Sequence, residues 1–151
     1  MKLEDFLAPS DAVLGIKAVD KNGLLRDLSH RAAPFIGVPF DQIAAEVIKR
    51  EALGSTGMGE GVAIPHARLR ELKKPFGVLA RLQQPIDFNA IDGKPVDLVF
   101  LLLLPVASQG EQLNALAFVA RALRKTEVLR DLRRADSSDE LYQAMTGELK
   151  T

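Results

Sequence analysis

His66 is one of only two histidines in the chain, and it closes a run rich in glycine and hydroxyl groups. The run reads Arg50-Glu51-Ala52-Leu53-Gly54-Ser55-Thr56-Gly57-Met58-Gly59-Glu60-Gly61-Val62-Ala63-Ile64-Pro65-His66-Ala67-Arg68. Gly54, Gly57, Gly59 and Gly61 let backbone N–H groups approach an anion, and successive N–H groups in a turn make an anion-binding nest. Ser55 and Thr56 add hydroxyl donors suited to phosphate oxygens. An unprotonated imidazole is a nucleophile, and an ordinary histidine is mostly neutral at pH 7. The chemistry this combination suggests is acceptance of a phosphoryl group by His66. Two plainer readings compete: a histidine that merely ends a short strand, and hydroxyls that serve ordinary turn geometry.

Arg50 and Glu51 fall at the end of an apolar helical stripe formed by Phe40, Ile43, Ala44, Val47 and Ile48. Projection at the helical period puts Glu51 near the middle of the stripe and Arg50 on its flank. A charge in that position needs a partner, because burying it alone is costly. Arg50 facing the site would neutralise developing phosphoryl charge. Glu51 would orient Arg50 or a loop N–H. Local pairing of the two, or a last turn frayed into solvent, is the alternative. Pro65 fixes its own φ and so holds the backbone leading into His66.

These residues must be positioned by a chain of 151 residues, enough for one domain spanning 1–151 with its own core. Twenty basic and 20 acidic residues give no global attraction to nucleic acid or anionic membrane. The absence of cysteine excludes disulfides and thiolate metal sites, and two histidines argue against a histidine-rich metal centre, so no metal or cofactor is expected. The first residues lack the apolar run of a signal peptide, and Val99–Val106 is too short to span a bilayer, so a soluble cytoplasmic protein is expected.

Ala12–Val19 reads as a strand, and Asn22–Ala33 as a helix with Leu24, Leu25, Leu28 and Ala32 on one face. Asp41 is expected to cap the next helix and Gly54 to stop it. Strands follow at Gly61–Ile64, Phe76–Leu82 and Val96–Leu104, the last a buried central strand. Ser108-Gln109-Gly110-Glu111 has capping-box spacing and opens a helix to about Arg124. Thr126–Arg134 is a shorter helix, and Ser137-Ser138-Asp139-Glu140 caps a terminal one. Interleaved strands and helices predict a layered α/β domain. His30 falls on a polar helix face and reads as solvated. The basic residues from Arg121 to Arg134 lack any accompanying groove-reading element, so nucleic-acid binding is not expected.

The run Arg50-Glu51, Leu53-Gly54-Ser55-Thr56-Gly57, Gly59, Gly61, Ala63-Ile64-Pro65-His66 resembles the active-site signature of the mannitol/fructose-type IIA proteins of the bacterial phosphotransferase system, most of all their nitrogen-regulatory branch. Ile91-Asp92-Gly93-Lys94-Pro95-Val96-Asp97-Leu98-Val99-Phe100 and Asp139-Glu140-Leu141-Tyr142 resemble the family too. The resemblance implies an α-β-α sandwich with a mixed central sheet. It implies phosphorylation of His66 on Nε2 by an HPr-like carrier (NPr in the nitrogen branch), with Arg50, Ser55 and Thr56 catalytic and the glycines binding phosphate. It also implies regulated targets such as potassium transporters or sensor kinases. Gln112 departs from the pattern, since many relatives carry a second histidine there; it is expected near the phosphate at a helix N-terminus. Glu60 stands where relatives often have asparagine, and Met58 where isoleucine is common; Met58 suits either an exposed contact surface or core filling. A sugar-transport IIA that passes the group to a IIB partner, or a non-catalytic binding module, would carry much the same residues.

Overall fold

A run of ten residues from Val96 to Pro105, nearly all apolar, forms the strand around which the domain is built. Such an unbroken run belongs to a strand covered on both faces. The computed structural model describes residues 2–106 and 109–147, without the side chains of 109–113. Its strands are β1 (Ala12–Ile16), β2 (Gly57–Gly59), β3 (Val62–Ala63), β4 (His66–Leu69), β5 (Phe76–Ile86) and β6 (Val96–Pro105). Its α-helices are α1 (Lys21–Ile36), α2 (Phe40–Leu53), α3 (Gln109–Ala122), α4 (Thr126–Arg134) and α5 (Ser138–Thr146).

The sheet order is β1-β5-β6-β3-β2, with β4 also paired to β6. β5 runs antiparallel to β6, whereas β3 and β4 both run parallel to it, so the sheet is mixed. Successive β6 side chains enter opposite cores, as the two-residue period requires. Leu98, Phe100, Leu102 and Leu104 join one cluster with residues of α3, α4 and α5. Val99, Leu101 and Leu103 join the other with residues of α1 and α2. The result is the expected α-β-α sandwich.

Several element boundaries differ from the sequence expectation. β1 ends at Ile16 rather than Val19, and Val19 stands 96% exposed. α1 runs through Pro34 to Ile36, where Gly37 closes it with a left-handed cap at φ 70°. Pro34 removes one internal bond, the one its N–H would have given the His30 carbonyl. Asp41 lies inside α2 rather than capping it; Pro39 holds the cap position. β4 was not anticipated, nor was β2, which forms an antiparallel hairpin with β3. Gly54 ends α2 as expected, and the Ser137 hydroxyl accepts the Glu140 N–H at 3.1 Å to cap α5. The proposed cap at Ser108 lies outside the described residues.

Candidate functional site

His66 begins β4 and lies beside Leu102 of β6 in parallel register. The preceding Pro65 carbonyl accepts the Leu102 N–H at 2.9 Å, which joins the approach to the sheet. Alternation along β4 buries Ala67 and Leu69 against α2 and leaves His66 and Arg68 on the other side. The imidazole Nδ1 lies 2.9 Å from the Ile64 carbonyl oxygen. A carbonyl can only accept, so Nδ1 carries the proton and the free lone pair is on Nε2. Burial is the main force holding the ring's pKa below 6.5, and the charges of Arg50 and Arg68 act in the same direction. The Ile64 hydrogen bond and the Glu51 charge oppose the shift without cancelling it. The ring is therefore a neutral nucleophile at pH 7.

A cleft of about 340 Å³ opens at this ring, lined by Glu46, Lys49, Arg50, Leu53, His66, Arg68 and Leu116 among others. Glu46, Lys49, Arg50 and Leu53 follow the i, i+3, i+4, i+7 spacing of one helix face, so α2 presents them together. Among the described residues, three cations against one carboxylate make the lining suited to an anion. Arg50 donates from Nη1 to the Gly54 carbonyl at 2.9 Å, which anchors one edge of the guanidinium at the end of α2. No other acceptor among the described residues takes its remaining N–H groups, which leaves them for a ligand. Lys49 was missed in the sequence, although the helical period that placed Arg50 also places Lys49 one turn from Glu46. Arg68 was noted only as a residue following the signature; its place beside His66 depends on β4.

The Ser55 and Thr56 hydroxyls, expected to donate to phosphate, are both engaged by protein acceptors in this structure. The Ser55 hydroxyl donates to the Phe88 carbonyl at 2.6 Å, and the Thr56 hydroxyl donates to Glu51 Oε1 at 2.6 Å. Each hydroxyl has one proton, and both protons are taken.

Two of the glycine N–H groups are met within the loop. Gly57 N–H donates to the Ser55 hydroxyl at 3.0 Å, and Gly54 N–H to the Glu51 carbonyl at 3.2 Å. The hairpin turn has three consecutive positive φ values, at Gly59 (99°), Glu60 (58°) and Gly61 (77°). A Cβ on Gly61 would come within 2.5 Å of an Arg133 nitrogen. Arg133 ties this turn down, donating to the Glu60 carbonyl at 2.6 Å and pairing with Asp97 at 2.9 Å. Glu60 is exposed, and its N–H donates to Asp92 at 3.1 Å. Its left-handed backbone is one that asparagine adopts more readily than glutamate. Met58 packs against the core shared with α3, α4 and α5.

Gln112 falls within the span of α3, but its side chain lies outside the described residues. Among the described residues no group of three or more His, Cys, Asp or Glu side chains could hold a metal, and no helix is long and apolar enough to cross a membrane. His30 is exposed and meets Phe40 edge-on, with centroids 5.1 Å apart.

Residues 5–147 match the family described as "Phosphoenolpyruvate-dependent sugar phosphotransferase system, EIIA 2". The chain is 40% identical over 145 residues to a nitrogen regulatory protein of Bradyrhizobium diazoefficiens, covering 96% of this chain and 95% of that one. It is 41% identical over 127 residues to the nitrogen regulatory protein of Escherichia coli K12, covering 83% and 78%. The crystal structure of nitrogen regulatory protein IIA-Ntr from Neisseria meningitidis superposes with a TM-score of 0.91 at 32% identity, over 95% of this chain and 99% of that one. IIA mannitol from Escherichia coli shares the fold with a TM-score of 0.73 at 21% identity, over 90% and 96%. A family match over nearly the whole chain, joined by relatives this similar along most of their own length, identifies the protein as a phosphoryl carrier of the phosphotransferase-system EIIA type-2 family.

Proposed function

We propose that His66 is the phosphoryl acceptor, that the group is bound on Nε2, and that the donor is an HPr-like carrier of the nitrogen branch, NPr. One observation carries this reading: Nδ1–H is held by the Ile64 carbonyl, which leaves the Nε2 lone pair for a cleft lined by Lys49, Arg50 and Arg68. In the transfer, that lone pair attacks phosphorus in line with the donor's P–N bond. The bond breaks and its electron pair returns to the donor nitrogen. His66 keeps its Nδ1 proton throughout, so no general base is required. Such transfers need mainly positioning and charge stabilisation. Arg50, anchored to the Gly54 carbonyl, supplies a fixed cation, with Arg68 and Lys49 completing the lining. Gln112 is proposed as a further donor to the bound group from α3.

Phosphorylation adds about −1.5 to −2 charges to this cationic cleft. The added charge and bulk would change which partners dock there, and the names of similar relatives favour a regulatory output over sugar transport; the proposed setting is the cytoplasm. Potassium transporters and sensor kinases are the proposed kinds of target. The test is incubation with phosphoenolpyruvate, enzyme I and an HPr-type carrier, followed by intact mass. A gain of about 80 Da, labile to acid and absent from His66→Ala, is expected. No gain with any carrier pair would overturn the reading.

A further inference from the structure

The most buried carboxylate near the site makes no contact with the cleft. Glu51 is 5% exposed, and its carboxylate oxygens are occupied by three donors. Lys21 Nζ reaches Oε2 at 3.1 Å, the Thr56 N–H reaches Oε2 at 2.9 Å, and the Thr56 hydroxyl reaches Oε1 at 2.6 Å. Thr56 in turn presents its carbonyl to the Ile64 N–H at 3.1 Å. The Ile64 carbonyl receives the His66 Nδ1–H at 2.9 Å. A series of hydrogen bonds, linked through the Thr56 and Ile64 backbone, thus runs from Lys21 at the start of α1, through Glu51 at the end of α2, to the Nδ1 side of the His66 ring.

We infer that Glu51 and Thr56 are positioning residues for His66, fixing its tautomer and ring orientation through Ile64 without touching the phosphoryl group. The two clamps on Thr56 define where its carbonyl points. That carbonyl holds the Ile64 N–H and so anchors the Ile64 backbone, whose own carbonyl, in the next peptide unit, decides that Nδ1 holds the proton. The arrangement also accounts for a carboxylate buried behind a site meant for an anion: its charge is met by Lys21, which sits 4.9 Å over the Phe88 ring. The same second layer of support orients histidine ligands at metal centres, where a carboxylate or carbonyl behind the ring fixes its tautomer.

This inference rests on His66 being the acceptor, and its test separates the two ideas. Thr56→Val removes the hydroxyl but keeps the Thr56 N–H and carbonyl; Thr56→Ser restores the hydroxyl; Glu51→Gln keeps the volume. Each protein is read twice, by imidazole nitrogen NMR for the tautomer and by intact mass for the rate of phosphorylation. Thr56→Val and Glu51→Gln are expected to lose the pure Nδ1–H tautomer and to slow by about tenfold to a hundredfold, the scale of a misplaced reacting group. Thr56→Ser is expected to recover both readouts. A wild-type tautomer and rate in both Thr56→Val and Glu51→Gln would overturn the inference. If Glu51→Gln fails to fold, the Val and Ser pair at Thr56 decides alone. A wild-type protein that takes no phosphoryl group would overturn the proposed function, while the tautomer readout would still decide the positioning role.

Discussion

His66 and Ile64 are joined by one hydrogen bond, ring Nδ1–H to backbone carbonyl at 2.9 Å, across a single intervening proline. Removing the ring should abolish phosphorylation and spare the fold. His66→Ala leaves the Ile64 carbonyl short of a donor, at a cost of about 1–2 kcal/mol. The strands beneath are held by β6. The expected result is a folded protein by circular dichroism with no mass gain; a retained gain would place the acceptor elsewhere.

The ring's depressed pKa gives a pH signature. The folded pKa lies below the unfolded value near 6.5, so around and below that pH the unfolded chain binds more protons. Stability contributed by neutral His66 is fully present above 6.5 and is lost as pH falls through the folded pKa. The rate of phosphorylation should follow the same titration, flat at neutral and mildly alkaline pH and falling only below 6.5. An NMR titration of the ring with a midpoint above 6.5 would contradict this.

Arg50→Ala should slow transfer by about a hundredfold, the effect of losing one preorganised donor to transition-state charge. The acceptor itself remains, so the final mass gain should be reached at long times. Loss of the bond to Gly54 also frays the end of α2, and Arg50→Lys separates the two effects. Lysine keeps a cation but loses the planar fork that serves Gly54 and the ligand together. An unchanged rate in Arg50→Ala would make Arg50 a helix cap only.

Lys21→Met should cost stability out of proportion to its place at the first position of a helix. Glu51 would keep its burial and lose its only ion-pair partner among the described residues. Breaking a buried pair from one side costs about 3–5 kcal/mol, and the 17% exposure of the Lys21 side chain argues for the lower end. Chemical denaturation measures this directly; a loss below about 1 kcal/mol would show that solvent already screens the pair.

Glu60→Gly should stabilise the protein by about 1 kcal/mol, because glutamate at φ 58° bears a left-handed backbone that glycine adopts freely. Its side chain is exposed, while the N–H to Asp92 and the carbonyl to Arg133 survive the change. A shift in melting temperature reports the sign. A destabilised variant would mean that the chain entropy glycine adds to the unfolded state outweighs the strain relieved.

The sequence made the layered fold legible through β6 and α2, where the apolar pattern is clear, and through α5, where the Ser137 cap agrees with it. Boundaries were lost where local signals conflict with packing. Pro34 reads as a stop, yet the helix needs only one more turn to reach Gly37. Gly57-Met58-Gly59 reads as a loop, yet it pairs with β3. At the site, His66 and Arg50 could be placed because a single element fixes each. Ser55 could not, because its partner Phe88 is 33 residues away, and Thr56 could not, because spacing does not tell which acceptor takes its one hydroxyl proton. Nothing local in Glu51-Ala52-Leu53-Gly54-Ser55-Thr56 shows that its acid and its hydroxyls face away from the cleft. Lys21 is 30 residues from Glu51, a separation that no spacing rule spans.

The hydrogen bond that closes one nitrogen of His66 also gives the carrier a single doorway. On the proposed reading, a phosphoryl group taken up at Nε2 would have to leave by the way it came. A donor and a recipient would then share one mouth and take turns there, and an excess of either would slow delivery by the other.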